Sequence, residues 1–173
     1  MPQQITRTLP EIWYADTIWG KPIANDNTLF EIMSLQVFQA GLGWKLILNK
    51  RDGFRKAFCD WSISAVACFS PVDVARLLIN PAIIRNRIKV QATIYNAQRL
   101  LEIQQIHGSF THWFYDVLEG NSYQVLQKEL SLNFKFIGPE LCRMWLMAAG
   151  RITMSEGDSC RPSRTPAYAN HVL

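Results

Sequence analysis

The sequence predicts an all-α fold, a single compact helical domain of about seven helices. Three observations carry that prediction. Apolar residues recur at intervals of three and four through most of the chain, alternation with a period of two is almost absent, and cap residues or glycines punctuate the periodic stretches. With 173 residues, 49% of them hydrophobic and 18% charged, the chain suits one globular unit with a real core. Wholesale disorder, collagen-like repeats and a disulfide-dense miniature scaffold are excluded by the same figures.

The first clear element is a helix from about Thr28 to Ala40, in which Leu29, Ile32, Met33 and Gln36 follow the helical template behind capping candidates at Asn25 to Asn27. Leu35, Val37 and Phe38 make it apolar nearly all round, which predicts a central, buried element. Gly41 and Gly43 bracket a turn, and a second helix is expected from Trp44 to about Phe58. Ser70-Pro71-Val72-Asp73 supplies a cap, a proline at the first helical position and a carboxylate at the third, so a helix should run from Pro71 to about Ile79 and stop at Asn80-Pro81. A long helix follows from about Asn86 to His107, carried by Ile94, Ala97, Leu101 and Gln104 and ended by Gly108.

Ser109 caps a further helix to about Leu118, Glu119-Gly120-Asn121 is a turn, and another helix lies near Tyr123 to Leu130. The aromatic-basic segment Phe134-Lys135-Phe136-Ile137 precedes Gly138-Pro139-Glu140, which opens the last clear helix, to about Ala149. Residues 1–150 thus form the helical domain, and residues 151–173, mixing Ser, Gly, Asp, Arg and Pro, read as a loosely ordered C-terminal tail.

No apolar run approaches the roughly 20 residues that cross a bilayer, and Met1 to Gln4 lack the basic-then-apolar layout of a secretory signal, so a cytoplasmic protein with no membrane partner is expected. Cys59, Cys68, Cys142 and Cys160 are widely spaced without a C-x-x-C pair and read as reduced thiols, mostly core filling. The net charge of +4 permits a polyanion partner without requiring one. Arg85, Arg87 and Lys89 cluster in mid-chain, while Arg143, Arg151, Arg161 and Arg164 load the C-terminal part. A solvated basic face explains such clusters as well as a phosphate site does, although Arg85, Arg87 and Lys89 flank a helix start, where backbone amides favour anions.

Gln36 sits on an otherwise apolar helix, where an amide is costly to bury unless its hydrogen bonds are used, either within the core or by a ligand. Trp13, Tyr14, Trp19 and Trp44 flank the segment that carries it. Tryptophans are commonly core residues, yet flat electron-rich walls and one amide suit a nucleobase, the more so a cationic one.

At these residues the chain resembles the DNA-3-methyladenine glycosylase I family of the helix-hairpin-helix superfamily. The matching stretches are Tyr14 to Gly20 (YADTIWG), Leu29 to Phe58 around QAGLGWKLILNKRDGFRKAF, Ile83 to Ala97 (IIRNRIKVQATIYNA), and FKFIG at Phe134 to Gly138. The resemblance implies a monofunctional enzyme of base excision repair, acting as a monomer. Its partner is double-stranded DNA with alkylated bases, from which it flips the damaged nucleotide and releases free 3-methyladenine with water, without a lyase step. It also implies that Gln36 is the base-contacting polar and catalytic group, that Tyr14, Trp19 and Trp44 line the pocket with Trp13 close by, and that the hairpin at Ala82 with Arg85, Arg87 and Lys89 holds the DNA backbone.

Three positions depart from the family pattern. Its pocket glutamate falls at Gln36, which keeps the shape and the acceptor oxygen but not the charge. Its zinc ligands fall at positions that include Ala15, Ser155 and Ser159, so no metal and no cofactor is expected, and His107, His112 and His171 do not rebuild a site by spacing. Its hairpin glycine is Ala82, preceded by Pro81, which lacks a backbone donor. These departures set a second reading beside the first, a weakened or inactive glycosylase fold that binds DNA or damaged bases without cleavage.

Overall fold

Helices form wherever the sequence supplies a cap and an apolar stripe, and in several places where it supplies only the cap. The computed structural model describes residues 8–118, 120 and 122–162, and these hold helices and no strand. The α-helical segments are α1 (Leu9–Trp13), α2 (Asp26–Gln39), α3 (Trp44–Asn49), α4 (Arg51–Ala57), α5 (Ile63–Ala67), α6 (Pro71–Leu78), α7 (Arg87–His107), α8 (Phe110–His112), α9 (Tyr123–Asn133), α10 (Pro139–Ala148) and α11 (Met154–Ser159). π-type turns extend α1 over Tyr14–Ile18 and α8 over Trp113–Val117, and a short 3-10 turn, Cys59–Trp61, joins α4 to α5.

The all-α expectation holds, with eleven α-helical segments among the described residues in place of about seven. The helix expected over Trp44 to Phe58 is two, α3 and α4, because Lys50 leaves helical geometry at φ −95° and ψ 3°. Helix α1 is only five residues long, too short to show a period, but a capping box of Thr8 and Glu11 starts it. The described part of the expected tail carries α11, likewise started by a capping box, Thr153 with Glu156. Buried Arg143 on α10 reaches it, donating to the Gly157 carbonyl at 3.2 Å while paired with Glu140 at 2.7 Å.

Helix α2 is the axis of the core, with every residue from Leu29 to Phe38 buried. It packs against α3, α5, α7 and α10, so the protein surrounds it on all sides. Asp26, in its first turn, accepts from Gln104 Nε2 on α7 at 2.6 Å and from the amides of Phe110 and Thr111 at 2.8 Å each. Burial alone would raise its pKa, but these bonds and one from Thr111 Oγ1 outweigh it and hold the carboxylate below its ordinary value. One side chain therefore joins the starts of α2 and α8 to the end of α7.

Two further expectations change. Of the four free cysteines only Cys142 is buried; Cys59 and Cys68 are exposed and Cys160 is intermediate, so they are not mostly core filling. The C-terminal arginines are bonded into the fold: Arg143 as above, and Arg151 to the carbonyls of Phe114, Leu118 and Gly120 at 3.0 to 3.1 Å. Arg164 and His171 lie outside the described residues. No helix among the described residues is long and apolar enough to cross a membrane.

Candidate functional site

The site begins where α1 widens. In the π-type turn the Trp19 amide donates to the Tyr14 carbonyl at 2.9 Å, a spacing of five residues that brings the two rings to 5.9 Å. The strand of chain that follows is anchored to the end of α10. Gly20 N donates to Ala148 O at 3.1 Å, Ile23 N donates to Tyr115 Oη at 2.8 Å, and that hydroxyl donates to Ala149 O at 2.7 Å. Gly150 makes the approach possible: its φ is +63°, and a Cβ there would stand 2.8 Å from the carbonyl carbon of Lys21. Trp19 is thus set by contacts between opposite ends of the chain.

From the core side, α2 delivers Gln36, 2% exposed. Its helix ends in a turn where Gly41 takes φ +80°, and Trp44 opens α3 directly after Gly43. The Tyr14 ring meets Trp44 edge-on at 4.8 Å. The structure therefore brings Tyr14, Trp19, Gln36 and Trp44 together. Trp13 stands at the margin: its ring lies 6.3 Å from Tyr14, and the Arg51 guanidinium covers it at 3.4 Å. Arg51 is in turn paired with buried Glu31 at 2.7 Å. Sequence reading missed this Glu31–Arg51 support, although a carboxylate on the all-apolar α2 carries the same signal that singled out Gln36.

The chemistry of the cluster lies in what its polar atoms lack. Seven buried side-chain nitrogen and oxygen atoms among the described residues have no hydrogen-bond partner, and four of them belong here: Tyr14 Oη, Trp19 Nε1, Gln36 Oε1 and Trp44 Nε1. The others, on Ser34, Trp61 and Trp145, belong to residues outside this cluster. Burial pushes the Tyr14 phenol far above its ordinary pKa, and the neighbouring Gln36 amide pulls it back only in part, without forming a hydrogen bond of ordinary geometry. The cluster thus presents donors on Trp19, Trp44 and Tyr14 and an acceptor on Gln36, the complement of a flat heterocycle with ring nitrogens and an exocyclic amine. Open grooves of about 290 and 400 Å³ border α7 elsewhere, and neither is lined by these four residues.

The hairpin between α6 and α7 divides the expected backbone contacts. Arg85 and Arg87 are exposed at the start of α7. Lys89 is not available to a phosphate: it is 5% exposed, and its ammonium donates to the carbonyls of Phe38 at 2.8 Å and Ala40 at 2.6 Å, satisfying the end of α2. Burial lowers its pKa. The Ala82 amide is also occupied, donating to Asn80 Oδ1 at 2.9 Å, while Lys50 holds the Pro81 carbonyl at 2.9 Å. A Cβ on Gly53 would come within 2.4 Å of Ala82 O, so that glycine lets the hairpin seat on α4. For zinc, Ala15, Ser155 and Ser159 offer no suitable donor, and among the described residues no three of His, Cys, Asp or Glu gather to hold a metal ion.

Comparison with known proteins identifies the family. The family model for methyladenine glycosylase matches residues 6–131. The chain is 30% identical over 174 residues to DNA-3-methyladenine glycosylase 1 of Escherichia coli strain K12, covering 90% of this chain and 93% of that protein. Among solved structures it is similar, at 29% identity and a TM-score of 0.77, to a tyrosine-to-phenylalanine variant of 3-methyladenine DNA glycosylase I in complex with 3-methyladenine, with coverage of 86% of this chain and 90% of that one. It is equally similar in sequence, at 29% identity with a TM-score of 0.75 and 96% coverage of both chains, to a glutamate-to-glutamine variant of the enzyme from Staphylococcus aureus. On a match through most of its length in sequence and in fold, this chain belongs to the methyladenine glycosylase family.

Proposed function

We propose that the protein is a DNA N-glycosylase of base excision repair that everts 3-methyladenine-type bases from duplex DNA and releases them by hydrolysis. The observation that carries the reading is the set of four unpaired polar atoms held in an aromatic cage, with three donors and one acceptor awaiting a planar partner. In the reaction the bond from the sugar C1′ to the base nitrogen breaks and its electron pair goes to the base. Methylation has made that base cationic, so it departs neutral; water adds its oxygen to C1′ and gives up a proton. Little push is needed beyond holding the base as its charge disappears. In this scheme Gln36 Oε1 accepts from the exocyclic amine, Tyr14, Trp19 and Trp44 enclose the ring, and Trp13 supports Tyr14 from the margin. Arg85 and Arg87 hold the phosphates, with Ala82 shaping the turn between them and α6. The protein acts as a cytoplasmic monomer on this reading.

The test is release of free 3-methyladenine from methylated duplex DNA with enzyme in excess over substrate; no release above a heat-only control refutes cleavage. The neutral amide at Gln36 favours a second reading, binding without cleavage. That reading expects salt-sensitive duplex binding and no release from the parent, and gain of release in Gln36→Glu. A glutamate variant no faster than the parent shows that the missing charge is not what limits the reaction.

A further inference from the structure

Helix α1 has no core of its own. None of its five residues is buried, yet Tyr14 follows it directly at 2% exposure, so the seat of α1 decides where the cage begins. Two polar ties to α3 are open to water. Thr8 Oγ1 donates to Asn49 Oδ1 at 3.2 Å, and Lys45, its side chain 55% exposed, lies 3.6 Å from Glu11. Contacts of that kind add little. The third tie is enclosed. Arg51, the first residue of α4, donates from Nε and Nη2 to the two oxygens of buried Glu31 at 2.7 and 3.1 Å. Its guanidinium lies 3.4 Å from the centre of the Trp13 ring.

Arginine alone performs both tasks at once. Its planar fork matches two carboxylate oxygens while the face of the same plane stacks on an indole, which an ammonium cannot reproduce. Glu31 stands on α2, the helix that also carries Gln36, so the fork sets Trp13 relative to the helix that supplies the acceptor of the cage. Trp13 in turn starts the π-type turn. Its carbonyl accepts from Thr17 Oγ1 at 2.6 Å, and its ring lies 6.3 Å from Tyr14, which meets Trp19 at 5.9 Å and Trp44 at 4.8 Å. Contact therefore runs unbroken from α2 through Glu31, Arg51 and Trp13 to the cage.

We propose that Arg51 is a positioning residue for the base: clamped by Glu31, it sets the Trp13 ring and through it the spacing of Tyr14, Trp19 and Trp44. The inference deepens the glycosylase reading and takes its ligand from it. The probe is free 3-methyladenine, titrated calorimetrically against the parent, Arg51→Lys, Trp13→Leu and the double variant. Arg51→Lys keeps the charge beside Glu31 but loses the fork and the stack, and it weakens base binding by about five-fold or more. In the Trp13→Leu background the same change costs under about two-fold, because its route to the cage is gone. Fluorine spectra of protein grown with 5-fluorotryptophan read the rings without ligand. The Trp13, Trp19 and Trp44 signals, each assigned by its own phenylalanine variant, move in Arg51→Lys while that of Trp145 stays. If Arg51→Lys does not fold, Glu31→Gln combined with Arg51→Gln leaves no buried charge unpaired and gives the same loss.

Unchanged base affinity in Arg51→Lys overturns the proposal, as does a full loss repeated in the Trp13→Leu background, which marks Arg51 as a general stabiliser. Fluorine signals that stay in place, or that move equally for Trp145, overturn it whether or not the base binds. A parent that does not bind free 3-methyladenine defeats the pocket reading, while shifts confined to Trp13, Trp19 and Trp44 still uphold Arg51 as the residue that sets them. A parent that binds the base, with Arg51→Lys unchanged in affinity, defeats Arg51 alone.

Discussion

Removal of the Tyr14 hydroxyl should stabilise the unliganded protein and weaken its hold on the base. Tyr14 is 2% exposed and its Oη has no partner. A buried polar group left unpaired costs roughly 1–3 kcal/mol, and Tyr14→Phe deletes the group while keeping the ring and its contacts with Trp19 and Trp44. At about 2–4 °C per kcal/mol for a domain of this size, the variant should melt about 2–12 °C higher without ligand. With 3-methyladenine bound, the hydroxyl gains a partner, and its loss should cost about 0.5–1.5 kcal/mol, roughly two- to ten-fold in affinity. Tyr115→Phe is the internal control with the opposite sign, since that hydroxyl is bonded to both Ile23 N and Ala149 O. Differential scanning calorimetry with and without 3-methyladenine, paired with calorimetric titration, reads both quantities. If Tyr14→Phe lowers the unliganded melting temperature as Tyr115→Phe does, Oη already has a partner in solution and the central argument for the site fails.

Asp26→Ala should cost about 1–3 kcal/mol at pH 7, discounted for partial exposure. Because the folded carboxylate lies below its ordinary pKa, the difference from the parent should be constant above about pH 4. It should then close as pH falls through the folded value, as read by urea unfolding across that range. Lys89→Met should lose about 2–4 kcal/mol, since two carbonyls at the end of α2 lose a charged donor; an unchanged urea midpoint would return Lys89 to the surface. Arg143→Met should destabilise by a similar amount, about 2–4 kcal/mol. It should also expose residues 151–162 to limited proteolysis, because Arg143 ties α11 to α10.

The architecture was legible wherever one stretch of sequence contained both its own cap and its own period. Helix α2 announced itself by being apolar on every side, α6 by Ser70, Pro71 and Asp73, and α7 by its length and by Gly108, which takes φ +85°. The short helices α1, α5 and α11 span too few turns for a period to emerge, and the π-type turns change bonding without changing which residues are apolar. Gln36 was conspicuous because a buried amide is costly whatever surrounds it, and the aromatics near it were found through motif order. The basic residues were not resolved by sequence alone. Arg85 and Lys89 read alike as letters, yet one is exposed and the other reaches across 49 and 51 positions to the carbonyls of Ala40 and Phe38. Asp26 was invisible as a fastener for the same reason: its partners lie 78 to 85 positions away.

On the proposed reading of the pocket, a neutral Gln36 has a consequence for turnover as well as for recognition. Before scission the methylated base is a cation, and after scission it is neutral. A carboxylate in the pocket favours the first state over the second, so it both attracts the lesion and loosens its grip on the product. With an amide, the terms that still distinguish the two states are the ring faces of Tyr14, Trp19 and Trp44, at about 0.5–2 kcal/mol each. The product should then lose less affinity on scission than it would beside a carboxylate, the ring terms alone separating the two states, and free 3-methyladenine should inhibit binding of methylated duplex more strongly in the parent than in Gln36→Glu. Gln36→Glu should separate the two affinities by favouring the cation. Equal inhibition of parent and variant by the free base would show that the charge at this position does not govern the difference, and that the aromatic cage alone sets it.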